Sequence, residues 1–391
     1  MKNRWPRILA TTLAAITAAG WFVLAAARDG TADEPCLEPN SGLSTRIPDA
    51  QCRQRLAAGL RSEPYNVASL ATLASLTAAS GDVAKARVLL DQADRTSRRH
   101  AESQYWLFID ALARNDVDVA LRHADVLFRT QDELPLPVTL PLISSLGQSA
   151  TRGALATYLS ASPRPWSGRL VQVIADSARS PDIEALLLAL KQASGEGIDL
   201  SHAPLAERLM REQKYTAIKA YLSNREGRSS ELVRDPGFAR DGPSWLLGWN
   251  TPDQAAGAAQ WQSQFGGRSG VFVLQHDLFS SGQPLMQQAL FAEPGPSRLT
   301  VASQATSAAS SGAFQVTVRC LSGPVVGREI LTGASGAWSE TTATFVIPPN
   351  CPAQTLIVDA VLGDVRSDAE IGLDRLSVRQ SGPSDPAATA D

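Results

Sequence analysis

A helix–turn–helix pattern that recurs every 34 residues in the first half of the chain constrains the fold most. The turn between two apolar helix faces falls at Gly81-Asp82, and an equivalent turn falls at Asn115-Asp116. Small alanines, which let two helices approach closely, keep the same spacing at Ala86, Ala120 and Ala154. A fixed period of this length predicts a solenoid in which each helix pair buries the apolar face of its neighbour.

The spacing and the alanines resemble the tetratricopeptide repeat, and Pro64-Tyr65-Asn66 is similar to the usual opening of such a unit. The resemblance is specific for three units, and helical patterns of drifting register continue after Pro163. It implies a helical-repeat domain over residues 63–228, whose concave surface docks a protein partner.

Beyond residue 228 the helical periodicity stops, and glycine, serine, threonine and proline become frequent. Short runs that suit β-strands follow at 270–275, 284–291, 297–304, 313–321, 337–347, 354–362 and 371–379. Many short strands with turn residues between them predict an antiparallel β-sandwich or jelly roll, which we place at 229–380. Residues 381–391 have the composition of a disordered tail.

The second half also resembles jelly-roll carbohydrate-binding modules. Residues 232–238, followed by Gly248-Trp249, look like their opening turn, and residues 371–378 are similar to their last strand. The segment from Ala337-Trp338 onward looks like a variant attached to tetratricopeptide proteins of bacterial polysaccharide-export clusters. The resemblance implies glycan binding by the sandwich.

Two tryptophans are the candidate glycan contacts. Trp245 and Trp261 lie in polar, glycine-rich stretches and are expected to be exposed, and indole rings stack on apolar sugar faces. Trp249 and Trp338 are expected to pack in or near the sandwich core, because a sandwich needs large inward side chains.

The same resemblance bears on calcium. In carbohydrate-binding modules an early glutamate and a late aspartate often help to hold a structural calcium ion. Ala239 stands where the glutamate is expected, which leaves Asp374 as a weak metal candidate. Calcium prefers several hard oxygen ligands, so we expect no cofactor.

Residues 1–28 predict a membrane anchor, because a basic start precedes an uncharged stretch at 8–27 that is long enough to span a bilayer. The alternative is a cleaved signal peptide, since Ala25–Ala27 suits a cleavage site. The first interpretation predicts a single-pass inner-membrane protein with its C-terminal part in the periplasm. The second predicts a secreted or periplasmic protein.

Export permits disulfide bonds. Four cysteines allow three pairings, and their clustering favours Cys36 with Cys52, in an exported linker at 29–62, and Cys320 with Cys351. No Cys-x-x-Cys spacing occurs, which argues against a redox or zinc motif.

The functional prediction is a multidomain α plus β envelope scaffold without catalytic residues. The sequence contains neither Gly-x-Ser-x-Gly nor a phosphate-binding glycine loop, and its net charge of −3 favours no nucleic-acid partner. We expect the helical repeats to dock an envelope protein and the sandwich to bind glycan or protein, in polysaccharide synthesis or export. The alternative is a purely structural assembly protein that binds no glycan.

Overall fold

A computed structural model describes residues 49–131, 133–161, 164–194, 200–222, 231–238, 246–255, 258–275, 284–308, 310–332, 334–361 and 370–380. These residues fall into two compact units, the first ending at Leu170 and the second beginning at Val171. The predicted anchor at 1–28, the predicted tail at 381–391 and the predicted domain boundary after residue 228 lie outside the described residues. Within the described ranges, no helix combines the length and the apolar character needed to cross a bilayer.

The helices occupy the chain before residue 223. They are α1 (Asp49–Ser62), α2 (Val67–Ala79), α3 (Val83–Thr96), α4 (Ala101–Ala113), α5 (Val117–Thr130), α6 (Leu136–Ser144), α7 (Ser149–Ala161), α8 (Ser167–Ser177), α9 (Ser180–Ser194), α10 (Ala203–Arg211) and α11 (Tyr215–Leu222).

The 34-residue spacing is visible in the helix caps. Asn66 and His100 cap α2 and α4, and Asp82 and Asp116 cap α3 and α5. Each side chain accepts a hydrogen bond from the backbone N–H three residues later, which satisfies a donor that the first helical turn leaves unpaired. The residue before each aspartate has a positive φ, 94° in one turn and 59° in the other. The two hairpins are therefore copies of one unit.

The third helix pair departs from this spacing. Ala86 and Ala120 are fully buried, whereas Ala154 is half-buried and Leu155 and Ala156 beside it are buried instead. α6 is also short and contains a proline, which removes one helical hydrogen bond. A regular repeat is thus present in two units, and membership of the tetratricopeptide class stays a prediction.

The second unit contains an antiparallel β-sandwich. Its strands are β1 (Ala259–Phe265), β2 (Arg268–Gln275), β3 (Pro284–Leu290), β4 (Gly295–Ala305), β5 (Phe314–Cys320), β6 (Val325–Ile330), β7 (Ser339–Ile347), β8 (Gln354–Ala360) and β9 (Glu370–Gln380). One sheet has the order β1-β2-β9-β4-β7, and the other has the order β3-β8-β5-β6. Their inner faces share one apolar core that includes Phe272, Phe314 and Leu356.

All seven predicted strands are present, and the predicted sandwich is confirmed. The sequence missed β1 and β6, which both lie at sheet edges. Glutamine occupies every second position of β1, and Gly327 interrupts the apolar run of β6. Edge strands bury less of their surface, so their hydrophobic pattern is weaker.

The predicted bond between Cys320 and Cys351 is confirmed, with a Cα–Cα distance of 5.4 Å. It joins the end of β5 to the segment before β8, so it links two neighbouring strands of the four-stranded sheet. Cys52 is also disulfide-bonded. Its predicted partner, Cys36, lies outside the described residues.

Candidate functional site

The outer face of the four-stranded sheet is built from alternate residues of β3, β8, β5 and β6. Residues paired across antiparallel strands point to the same side of a sheet. We call this surface the four-strand face, and its rows from β3 to β6 are Gln287, Ile357, Thr317 and Arg328; Pro284, Asp359, Gln315 and Ile330; and Ala289, Thr355, Arg319 and Val325.

Asp359 is a half-buried carboxyl group in the middle of this face. Burial raises its pKa above the ordinary value of 3.8, while a hydrogen bond from Gln315 and the charges of Arg328 and Arg319 oppose the rise. Its Oδ1 atom is buried without a hydrogen-bond partner in the part of the chain that the structure describes. The carboxyl group therefore has acceptor capacity that its neighbours leave unused.

Thr317 lies on β5, two residues from Gln315 and on the same face. Its side chain is only 3% exposed, and its Oγ1 atom is also buried without a partner among the described residues. An unsatisfied buried polar atom costs about 1–3 kcal/mol, so native proteins contain few of them. Ser297, Ser303 and Gln304 of β4 in the other sheet also contain such atoms. Thr317 and Asp359 differ from them in lying on the face that carries the exposed Arg319 and Arg328, which makes this face the candidate site.

Two cations flank these atoms. Arg319 and Arg328 are exposed on β5 and β6, and their charges act on the carboxyl group of Asp359. Neither arginine forms an ion pair with any residue that the structure describes. The face thus combines guanidinium, amide, hydroxyl and carboxyl groups, which suits a ligand rich in hydroxyl groups and negative charge.

The predicted tryptophan contacts do not lie on this face. Trp261 is on β1, at the edge of the other sheet, where its side chain is 53% exposed. Its indole lies beside Gly270, where an added Cβ would be 3.9 Å from the indole nitrogen, an ordinary contact. Trp245 lies outside the described residues. The structure therefore confirms the exposure of Trp261 and separates it from the unpartnered polar atoms.

The two tryptophans expected in or near the core differ from each other. Trp249 is buried, and its Nε1 donates a hydrogen bond of 2.9 Å to the carbonyl oxygen of Asp235. Trp338 is half-buried, and its Nε1 donates a hydrogen bond of 3.0 Å to the carbonyl oxygen of Gly266. The guanidinium group of Arg268 stacks over the Trp338 ring, 4.5 Å from the ring centroid. Trp338 therefore lies at the surface of the sandwich and not in its core.

Asp374, the weak metal candidate, forms an ion pair with that same Arg268. The described residues contain no group of three or more histidine, cysteine, aspartate or glutamate side chains able to hold a metal ion. Ala239, which replaces the expected glutamate, lies outside them. The guanidinium group of Arg268 therefore balances the charge of Asp374.

Several buried polar groups of the first unit are paired with one another. Arg87 and Asp110 form an ion pair of 2.6 Å, and the buried Gln104 donates to Asp94. His123 completes this chain, with its Nδ1 atom 2.7 Å from Oε1 of Gln104. These contacts hold α3, α4 and α5 together.

Sequence reasoning missed the residues of the four-strand face as a site. The alternation of Gln315, Thr317 and Arg319 with apolar residues was visible, but it indicates only a strand with one polar side. Asp359 lies 44 residues beyond Gln315 in the sequence (359 − 315), so their pairing depends on the register of β5 with β8.

Neither a protein-family model nor a curated protein matches the chain. The solved structures that match it include a CBM4 carbohydrate-binding module, which is 13% identical with a TM-score of 0.29 over 38% of this chain and 99% of that one. A family 61 module in complex with β-1,4-galactotriose is 13% identical with a TM-score of 0.27 over 39% and 100%. The CBM22-1 xylan-binding domain from Paenibacillus barcinonensis is 11% identical with a TM-score of 0.26 over 37% and 90%. TM-scores this low leave the ligand to be inferred from the four-strand face itself.

Proposed function

We propose that the sandwich binds a glycan at the four-strand face. The observation that carries this proposal is the pair of buried, unpartnered atoms on adjacent strands, Thr317 Oγ1 and Asp359 Oδ1. Sugar hydroxyl groups donate and accept hydrogen bonds, so they complement a carboxyl, a hydroxyl and the amide of Gln315. Ile357, opposite Thr317, offers an apolar contact for the C–H face of a sugar ring.

A ligand reaches these atoms after the flexible side chains around them move aside. Arg328, exposed and directly opposite Thr317, is the long side chain best placed to do so. Because the two atoms are buried without hydrogen bonds in the free protein and gain them only in the complex, their burial increases the affinity for the ligand.

The proposed role is binding and not hydrolysis. A glycosidase uses two carboxyl groups on opposite sides of the scissile bond. Asp359 is the one carboxylate among the described residues of the four-strand face, and no described histidine or cysteine lies on that face to act as a base or a nucleophile.

The helical unit is proposed to dock a protein partner. Leu136 and Leu140 lie one turn apart on α6 and are 63% and 54% exposed, which gives this helix an apolar side facing solvent. With the predicted anchor or signal segment at 8–27, the chain would serve as an envelope scaffold in polysaccharide synthesis or export. The alternative role, structural assembly without glycan binding, uses the same two surfaces for proteins only.

Affinity electrophoresis of the full chain in gels that contain single polysaccharides tests glycan binding. The panel contains xylan, galactan, mixed-linkage glucan, polygalacturonate and alginate. At least one is expected to retard the native chain, and Gln315→Ala with Asp359→Ala is expected to weaken that binding by about tenfold or more. Gln264→Ala, an exposed glutamine of β1, is the matched control and keeps the native affinity.

Two results contradict the proposal. One is a native chain that no polysaccharide of the panel retards. The other is a double variant that remains folded and binds as tightly as the native chain. Trp261→Ala and Trp245→Ala in the same gels test the predicted aromatic contacts, and unchanged retardation removes these residues from the site.

A further inference from the structure

The two exposed arginines of the four-strand face bear on the chemical class of its ligand. Arg328 is paired with Thr317 across β6 and β5, and Arg319 is two residues from Thr317 along β5. Both guanidinium groups therefore flank the unpartnered atoms. Side chains on adjacent strands and at diagonal positions lie within about 8 Å of each other, so one extended ligand can contact both arginines.

Three other arginines of the sandwich are bound by the protein itself. Arg268 pairs with Asp374 and stacks on Trp338. Arg379 approaches the carboxylate of Glu231 at 3.5 Å. The guanidinium of Arg234 donates to the carbonyl oxygen of Ala289. Arg319 and Arg328, like Arg298 and Arg375 of the five-stranded sheet, form no ion pair among the described residues. These two flank the buried, unpartnered atoms of the four-strand face, which leaves both guanidinium groups available to a ligand there.

The charge balance of the face is positive. Two guanidinium groups stand against the single carboxyl group of Asp359, and burial favours the protonated form of that carboxyl. Guanidinium binds carboxylate through two parallel hydrogen bonds, which gives both affinity and a defined orientation.

On the basis of the proposed function, we infer that the ligand is an acidic glycan. Its carboxylate groups pair with Arg319 and Arg328, and its hydroxyl groups bond to Gln315, Thr317 and Asp359. Neutral glycans lack the group that the two arginines bind and are expected to bind less tightly.

The test compares each acidic polymer with its own neutral form. The full chain is titrated calorimetrically with polygalacturonate and alginate oligosaccharides, and with the same oligosaccharides after reduction of their carboxyl groups to alcohols. At least one acidic form is expected to bind about tenfold or more tightly than its reduced form. Added salt weakens the binding of the acidic form and leaves that of the reduced form unchanged.

Charge-matched variants locate the effect. Arg319→Ala with Arg328→Ala is expected to remove the preference for the acidic form. Arg298→Ala with Arg375→Ala, on β4 and β9 of the other sheet, removes the same two charges and is expected to keep the preference.

The outcomes separate the two proposals. Equal binding of acidic and reduced forms contradicts the acidic ligand and leaves the glycan site standing. Absence of binding to either form and to the neutral polysaccharides contradicts both. An equal loss in the Arg298→Ala, Arg375→Ala double variant, or full displacement by a single-stranded oligonucleotide of equal charge, shows general attraction of polyanions and overturns the inference.

Discussion

The outer faces of the two sheets of the sandwich differ in the contacts that their polar and charged side chains make. On the five-stranded sheet the ring of Phe265 covers Gly372, and Arg268 is held between Asp374 and Trp338. Both sheets contain buried polar atoms without a partner among the described residues: Ser297, Ser303 and Gln304 on β4 of the five-stranded sheet, and Thr317 and Asp359 on the four-stranded sheet. On the four-stranded sheet these atoms lie beside the exposed Arg319 and Arg328, and this combination of groups suits a binding surface.

The disulfide belongs to the four-stranded sheet, and its removal is expected to have the largest effect on stability. Cys320→Ser with Cys351→Ser should lower the free energy of unfolding by about 3 kcal/mol, because the bond closes a loop with a sequence separation of 31. Denaturant unfolding measures this, with reductant added to the native chain as the control. A change below about 1 kcal/mol would mean that the covalent link contributes little to this sheet.

Gly372→Ala tests the outer face of the five-stranded sheet, where the ring of Phe265 covers this glycine. The new Cβ would overlap the ring of Phe265, so we expect a loss of about 2 kcal/mol with no change in glycan affinity. Gly59→Ala is the control, since its Cβ meets nothing within 4 Å in α1 and no loss is expected. A loss of glycan affinity in folded Gly372→Ala would show that the two faces are not independent.

On the four-strand face, Thr317→Val separates the effect of a side chain on stability from its effect on glycan binding. Removal of an unsatisfied hydroxyl should raise the free energy of unfolding by about 1 kcal/mol and weaken glycan binding several-fold. Thr344→Val, at an exposed position of β7, should change stability by less than about 0.5 kcal/mol and leave binding unchanged. A destabilised Thr317→Val protein would indicate that this hydroxyl already has a partner.

Asp359→Asn is expected to have the smallest effect, and it depends on pH. Because the folded-state pKa of Asp359 is raised, the native chain loses stability as the pH rises from the ordinary value of 3.8 through the raised pKa. The variant lacks this loss, so its stability relative to the native chain should increase over that range. The change is below about 1 kcal/mol because the carboxyl group is half-exposed. An opposite slope in unfolding measured from acid to neutral pH would contradict the desolvation of Asp359.

Some of these structural features could be predicted from the sequence, and others could not. The turns at Gly81-Asp82 and Asn115-Asp116, the seven predicted strands and the Cys320–Cys351 bond follow from local spacing. The edge strands β1 and β6 were missed because a half-exposed strand has a weak apolar alternation.

The candidate site was harder to predict because it joins residues distant in the chain. β8 lies between β3 and β5, and this order alone brings Asp359 beside Gln315 and Thr317. Trp261 was selected for its exposure, which is correct, but its strand lies in the other sheet. Exposure is a local property of a sequence, whereas a binding face depends on strand order.

Amide and indole NMR spectra of the full chain, recorded with and without acidic oligosaccharide, test the central claim most directly. We predict that the largest shift changes occur at outward residues of β5, β6 and β8, with Gln315, Thr317 and Arg328 among them. The indole signal of Trp261 serves as the internal reference for the five-stranded sheet and should shift little. Changes confined to Trp261 and β1, or no changes at saturating glycan, would contradict binding at the four-strand face.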